Sequence, residues 1–270
     1  MTDPMLTQAT QSRVRLITLT RPQARNAVDP PLARALFAAL MAFDADPGVD
    51  VLVLTGAGGA FCAGFDLKSV SHGDGASWIA GLDIPTDWTD PVTTPLAGPM
   101  GPTRLMLSKP VIAAIEGPAV AGGMEIALWC DLRVMARDAF MGVFCRRWGV
   151  PLIDGGTVRL PRVVGQGRAL DFILTGRAIA ADEALSCGLA DRLAEPGLAL
   201  KTALDLAQSL TRFPQTCLRA DFLSARLPPQ DLARALRREW VSARLTEGEA
   251  LIGATRFAAG HGRSGRFDDL

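Results

Sequence analysis

Glu116-Gly117-Pro118-Ala119-Val120-Ala121-Gly122-Gly123-Met124-Glu125-Ile126-Ala127-Leu128-Trp129-Cys130-Asp131 is the stretch around which the chain is organised. Before it, Pro110-Val111-Ile112-Ala113-Ala114-Ile115 is a short apolar run of buried-strand length. After it, Leu132-Arg133-Val134-Met135-Ala136 is another. Gly117 and Pro118 interrupt the first strand, and Gly122 and Gly123 open a helix that carries Glu125. The first N–H groups of a helix have no partner inside it, and the helix dipole is positive there. Such a place can hold a developing oxyanion. Glu125 follows Gly122 by three residues, which stands its carboxylate over the same first turn. One short segment therefore offers an N–H donor and an acid/base group together. The alternative is a glycine-rich strand-to-helix turn whose glutamate only favours the positive helix end.

Outward from this stretch, strands alternate with helices. Residues 13–20 (R-V-R-L-I-T-L-T) alternate like a strand and stop at Arg21-Pro22. Asp29-Pro30-Pro31 is a helix start, with an acid to cap it and proline in the first turn. Leu32, Leu36, Ala39, Leu40 and Phe43 then form one apolar face, ended by Pro47-Gly48. Val51-Leu52-Val53-Leu54 is a buried strand running into a glycine-rich turn at 55–60. This alternation predicts an α/β fold with mostly parallel pairing. Periodicity fails over 71–102, a long loop or a lid with short helical pieces and with Trp78 and Trp88 among its residues. Helical patterns resume at 155–164, 168–175 and 181–187, the last closed by Gly188. From Leu198 onward helix follows helix, and the stretch 261–270 is polar and expected to be loose. The division expected is a core over 1–197 and a helical region over 198–270. That region has more apolar positions than one layer can bury, among them Leu204, Leu206, Leu210, Phe213, Phe222 and Leu223, so assembly of copies is expected.

Composition excludes several classes. With 28 basic and 28 acidic residues the 270-residue chain is formally neutral, which argues against a dedicated nucleic-acid binder. At 49% hydrophobic and 21% charged it is an ordinary globular chain with a sizeable core. No run reaches the length of a membrane span, and the N-terminus lacks the pattern of a signal peptide. The five cysteines are scattered without C-x-x-C, which fits a reduced, cytoplasmic protein. Two histidines poorly supply a metal site or a Ser-His-Asp triad, and no G-x-S-x-G occurs, so no metal is expected.

A second stretch, residues 60–70, reads A-F-C-A-G-F-D-L-K-S-V and again delivers a strand to a glycine turn and a helix start. Gly56-Ala57-Gly58 hints at a dinucleotide fingerprint, but Phe61 stands where its third glycine belongs. No Gly-Lys-Ser/Thr follows to make a phosphate loop. Together F-C-A-G-F-D-L-K and G-P-A-V-A-G-G-M-E resemble the crotonase superfamily, the enoyl-CoA hydratase/isomerase family. Three further segments match in order: R-P-Q-A-R-N-A from Arg21, C-D-L-R-V from Cys130, and G-V-P-L-I-D-G-G-T-V-R-L from Gly149. The resemblance covers roughly residues 10 to 260.

The resemblance implies a crotonase-like spiral of ββα units followed by a helical trimerisation region, assembled as a homotrimer or homohexamer. It implies an acyl-CoA substrate, with coenzyme A present only as part of the thioester and no separate cofactor. Two backbone N–H groups would hold the thioester oxygen as an enolate forms; by position they belong to Phe65 and Gly122. Fixed donors of this kind are each worth ~3 kcal/mol of barrier. Ala63, Asp66, Leu67 and Lys68 would lie along the CoA moiety, with Arg25 and Lys68 as phosphate partners; the alternative for the two cations is a solvated surface charge.

The chain departs from the family at one catalytic position. Glu125 matches the first of the hydratases' two glutamates, but the second, four residues before Gly149, is Cys145. A thiol titrates near 8.5 and is a poorer proton donor to carbon than a tuned carboxylic acid; Arg146 and Arg147 could lower that pKa if they face it, and the alternative, which is favoured, is that Cys145 is a small buried filler. Asp154 offers a replacement carboxylate, its alternative being a cap for the helix at 155–164. Glu116 is a weaker candidate. The reading is an enzyme that adds water to a 2-enoyl-CoA through an oxyanion-hole-stabilised enolate. Double-bond isomerisation, thioester hydrolysis and acyl-CoA binding without turnover are the rivals.

Overall fold

The computed structural model of the chain describes residues 4–262. A hairpin comes first, β1 (Leu6–Gln11) antiparallel to β2 (Val14–Leu19). Helix α1 (Pro30–Ala45) leads to β3 (Val51–Gly56), and α2 (Leu67–Ser71) and α3 (Asp74–Ala80) precede β4 (Val111–Ile115). Then follow β5 (Pro118–Val120), α4 (Gly122–Trp129), β6 (Leu132–Ala136), β7 (Phe140–Gly142), α5 (Gly156–Val164) and α6 (Gln166–Thr175). Next come β8 (Ala178–Ala180), α7 (Ala181–Ser186) and β9 (Arg192–Ala194). Four helices follow among the described residues: α8 (Ala199–Leu210), α9 (Gln215–Ser224), α10 (Pro229–Trp240) and α11 (Glu249–Ala258).

Six strands form one sheet in the order β1-β2-β3-β4-β6-β9, parallel from β2 onward. A small sheet, β5-β7-β8, accompanies it. The units β4-β5-α4 and β6-β7-α5 repeat one pattern: a strand in the large sheet, a strand in the small one, then a helix. This is the expected spiral of ββα units. Strands β3 and β4 are buried almost throughout, as parallel strands covered on both faces must be. Helix α1 begins as its sequence dictates, with the Asp29 carboxylate accepting the Leu32 N–H at 2.9 Å and the predicted apolar face wholly buried.

The strands of the small sheet were not legible in the sequence. Each has three residues, too few for alternation to register, and β5 begins at the Pro118 that reads as a break. The segment 71–102 contains α3 and is otherwise held by its tryptophans: Trp78 Nε1 donates to Pro99 O at 3.0 Å and Trp88 Nε1 to Thr94 O at 2.7 Å.

In the region 198–270, α8 lies on β3, β4 and β6 of the large sheet, through Ala199, Ala203 and Ala207. Helix α11 packs instead against α2. Glu116 is spent on this arrangement, its carboxylate accepting from Gly197 N at 3.1 Å and Ala199 N at 2.6 Å at the start of α8. Of the apolar positions expected to face another copy, Leu204, Leu206 and Leu210 pack on the chain's own core. Phe213 and Leu223 are exposed, together with Val241, Leu245, Leu251 and Ile252. The polar end expected to be loose lies outside the described residues beyond position 262.

Candidate active site

Residues 62–66 are clamped between two other segments. Cys62 and Phe61 donate to Pro118 O, and Val120 N donates to Cys62 O at 3.0 Å. On the other side Ala63 N donates to Arg25 O at 3.0 Å, Val28 N to Gly64 O at 2.8 Å and Asp66 N to Val28 O at 2.8 Å. Since successive residues of an extended chain alternate, the Phe65 N–H faces away from Val28. Gly64 sits against the start of α4: a Cβ built on it would stand 3.1 Å from Gly122 N. Among the described residues neither Phe65 N nor Gly122 N donates a hydrogen bond. Both residues line the main cavity, so two open backbone donors belong to one site. Ala121, just before Gly122, has φ 53° and ψ −129°, a strained backbone for alanine, held by its N–H to Gly142 O at 2.8 Å. Gly123 is required by space, because a Cβ there would lie 2.1 Å from Cys62 O.

Glu125 lies in the first turn of α4 and is 3% exposed. Its Oε1 accepts two N–H groups, from Asp154 and from Gly156, each at 2.9 Å. Its Oε2 accepts nothing among the described residues, and Glu125 lines the main cavity. Burial pushes its pKa well above the usual carboxylate range, with the charges of Asp154 and Glu239 adding to the rise and the two N–H groups opposing it.

Asp154 is also buried and also lines the cavity. It does not cap α5: the capping position is Gly155, with no side-chain bond. Its Oδ1 instead accepts Met100 N at 3.0 Å and the Thr103 hydroxyl, which pins the loop 98–103. Met100 in turn packs against Gly122. The other oxygen, Oδ2, has no hydrogen-bond partner among the described residues. Burial raises the pKa of Asp154, opposed by Thr103 and Met100. Met100, Thr103 and Glu239 escape sequence reading because no local spacing marks them; only the fold brings them to Glu125 and Asp154.

Cys145 is in the cavity wall with its thiol held protonated. Burial first, then the charge of Glu125, pushes its thiol up to about 12. The flanking arginines do not reverse this: Arg146 Nε donates to Ile173 O at 3.3 Å, and the Arg147 guanidinium lies 3.7 Å from the centre of the Phe144 ring.

The cavity has a volume of about 550 Å3, and Arg25, Ala63, Phe65, Asp66, Leu67, Lys68 and Gly122 all line it. The Asp66 carboxylate is committed to structure, accepting Lys68 N at 3.1 Å and pairing with Arg21 at 2.9 Å. Arg21 also pairs with Asp29 at 3.2 Å. Arg25 and Lys68 are exposed and form no salt bridge among the described residues. Asn26 is committed to structure, its Nδ2 donating to Ala57 O at 2.9 Å and Ala60 O at 2.8 Å and its Oδ1 accepting Arg21 N at 3.0 Å. The far wall comes from Thr246, Ala250 and Phe257 near the C-terminus.

A spiral of ββα units with a helical C-terminal region is the crotonase class of fold. The chain belongs to the enoyl-CoA hydratase/isomerase family, whose profile, described as "Enoyl-CoA hydratase/isomerase", matches residues 9–90 and 103–234. It is 41% identical over 206 residues to a probable enoyl-CoA hydratase of Rhizobium meliloti, covering 76% of this chain and 74% of that protein. It is 37% identical over 203 residues to an enoyl-CoA hydratase of Mycobacterium tuberculosis, covering 73% of this chain and 70% of the other. Among solved structures it resembles the carnitinyl-CoA hydratase of Mycobacterium avium, with TM-score 0.80 at 30% identity over 96% of this chain and 97% of that one.

Proposed function

We propose that the protein hydrates a 2-enoyl-CoA thioester, with Glu125 as the base toward water and Asp154 as the second proton-transfer group. The observation that carries this is the cavity itself: two open N–H donors and two buried carboxylates, each with one uncommitted oxygen, on one wall. The thioester oxygen accepts from Phe65 N and Gly122 N, which stabilises the negative charge that arrives there when water adds to the conjugated double bond. Glu125 Oε2 takes the proton of the attacking water, and the enolate carbon is protonated by the acid form of Asp154. The deciding experiment offers a panel of 2-enoyl-CoA thioesters and identifies products by mass spectrometry. A 3-hydroxyacyl-CoA supports hydration; a shifted double bond or a free acid rejects it.

Isomerisation is the second reading, favoured by one observation. Burial pushes the thiol of Cys145, at the family's second glutamate position, up to about 12, which makes it a weak proton donor, and moving a double bond can run on a single carboxylate.

Arg25 and Lys68 are assigned to the phosphates of the CoA moiety, with Ala63, Asp66 and Leu67 along its path. Arg25→Ala and Lys68→Ala should each raise KM about 3- to 10-fold and leave kcat nearly unchanged, since the cations act on a remote part of the substrate. A loss confined to kcat would remove them from CoA binding.

Exposed Phe213, Leu223, Leu251 and Ile252 on the C-terminal helices support assembly as a homotrimer or homohexamer. Light scattering at micromolar concentration is expected to give three or six chains; a monomer contradicts it. No helix among the described residues is long and apolar enough to cross a membrane, and a cytoplasmic location is proposed with the function.

A further inference from the structure

Residues 154–157 form the turn into α5, and their successive N–H groups go to two different carboxylates. Those of Asp154 and Gly156 go to Glu125 Oε1. Those of Gly155 and Thr157 go to Glu239: Oε2 accepts from Gly155 at 2.5 Å, and Oε1 accepts from the Thr157 amide at 2.8 Å and its hydroxyl at 2.6 Å. A helix start leaves its first N–H groups open, and a neighbouring Ser, Thr or Asp usually serves them. Gly155 has no side chain to do so. The acceptor comes instead from the end of α10, in the C-terminal helical region. Glu239 is buried and does not line the cavity, so it cannot meet the substrate.

We propose that Glu239 is a positioning residue of the reaction: it fixes the turn from which Glu125 hangs, and through it the direction of Glu125 Oε2 toward the substrate. The inference rests on the assignment of Glu125 as the base. Glu239 also acts by charge, since it adds to burial and Asp154 in holding the proton on Glu125. The other charged groups around it are Asp154 on the same turn and Arg159 from α5, which donates to Asp154 O at 3.1 Å and Thr103 O at 2.7 Å. Arg104 stacks 4.2 Å from the centre of the Trp240 ring, with Asp83 near it, and Arg226 lies near Arg159. Arg237, on α10 itself, is turned to Trp88 O.

Glu239→Gln removes the charge and sets an NH2 group where an acceptor stood. On the best enoyl thioester, kcat should fall ~10-fold with KM changed less than about 2-fold. The acidic limb of kcat should move to lower pH by roughly one unit, because a negative neighbour of Glu125 is gone. A residue that merely holds the fold lowers the folded fraction and leaves that limb in place. A second readout needs no turnover. The infrared C=O stretch of the protonated Glu125 carboxyl, identified as the band lost in Glu125→Gln, should titrate at lower pH in Glu239→Gln. Thr157→Ala, which takes one donor from Glu239 at an exposed side chain, should move the same midpoint in the same direction by less, and it decides the matter if Glu239→Gln does not fold. An unmoved limb or midpoint in the folded variants overturns the proposal. If the wild-type protein turns over no enoyl thioester, the proposed function fails, and the infrared titration still decides the role of Glu239.

Discussion

Glu125→Gln is expected to keep the fold and the binding of thioester while lowering turnover by ~100-fold or more. The amide oxygen of glutamine can accept the same two N–H groups that Oε1 accepts, from Asp154 and Gly156, so the turn into α5 keeps its anchor. What disappears is the ionisable oxygen facing the cavity. The same change carries a stability signature. The folded-state pKa of Glu125 is raised above its unfolded value. Between the two values the folded protein binds the extra proton, so this group's contribution is fully present below the unfolded pKa and is lost as pH rises through the folded one. Glutamine has no such loss. The melting temperature of the variant relative to wild type should therefore climb as pH is raised from the ordinary carboxylate range toward neutrality. Wild-type turnover on the true substrate would remove Glu125 from the mechanism, and a flat difference in melting temperature would contradict its buried ionisation.

Asp154→Asn is expected to lower turnover on the order of 100-fold, and Cys145→Ala by less than about 5-fold. The asparagine oxygen can still accept Met100 N and the Thr103 hydroxyl, so the loop 98–103 stays pinned and Met100 stays against Gly122. Only proton transfer is lost. Burial raises the pKa of Asp154 as it does that of Glu125, and the assigned roles require that the proton shared by this interacting pair sit on Asp154 when substrate is bound. The Cys145 thiol, pushed up to about 12, keeps its proton throughout the working range. Its removal leaves a small gap in a cavity wall. Steady-state kinetics on the two variants, with circular dichroism to check the fold, separates them. If Cys145→Ala cripples the enzyme and Asp154→Asn is silent, the roles are inverted. If both are silent while Glu125 matters, the enzyme runs on one carboxylate and isomerisation is the better reading.

Most of the large sheet and its helices could be read from the chain, because long apolar runs and proline or glycine stops are local signals. The strand pair around 116–131, the Asp29 cap and the face of α1 are examples. The small sheet could not, since three-residue strands carry no period. At the site, the helix start at Gly122 and the carboxyl of Glu125 followed from helix geometry, whereas Phe65 was implied only by the family resemblance. The roles of the remaining acids were not legible. Glu116, Asp66 and Glu239 are all glutamate or aspartate near glycine turns or helix ends, and which one faces the cavity depends on contacts made across the fold. Glu116 serves α8, Asp66 serves α2, and Asp154 serves the loop at 98–103 while still lining the cavity. A sequence states that an acid is present; the tertiary partners decide whether any of its oxygens remains uncommitted.

Helices α10 and α11, which bring Glu239 to the turn into α5 and Ala250 and Phe257 to the cavity wall, are the last two helices of the described residues and are made after the rest of the site. While the chain is still growing, the large sheet and α4 can form with Glu125 in place, yet the N–H groups of Gly155 and Thr157 have no acceptor and the cavity lacks a side. Domains tend to fold from the N-terminus as they emerge. A chain stopped short of α10 would leave Gly155 and Thr157 without their carboxylate and the cavity without Ala250 and Phe257, so the site is completed later than the sheet that carries it.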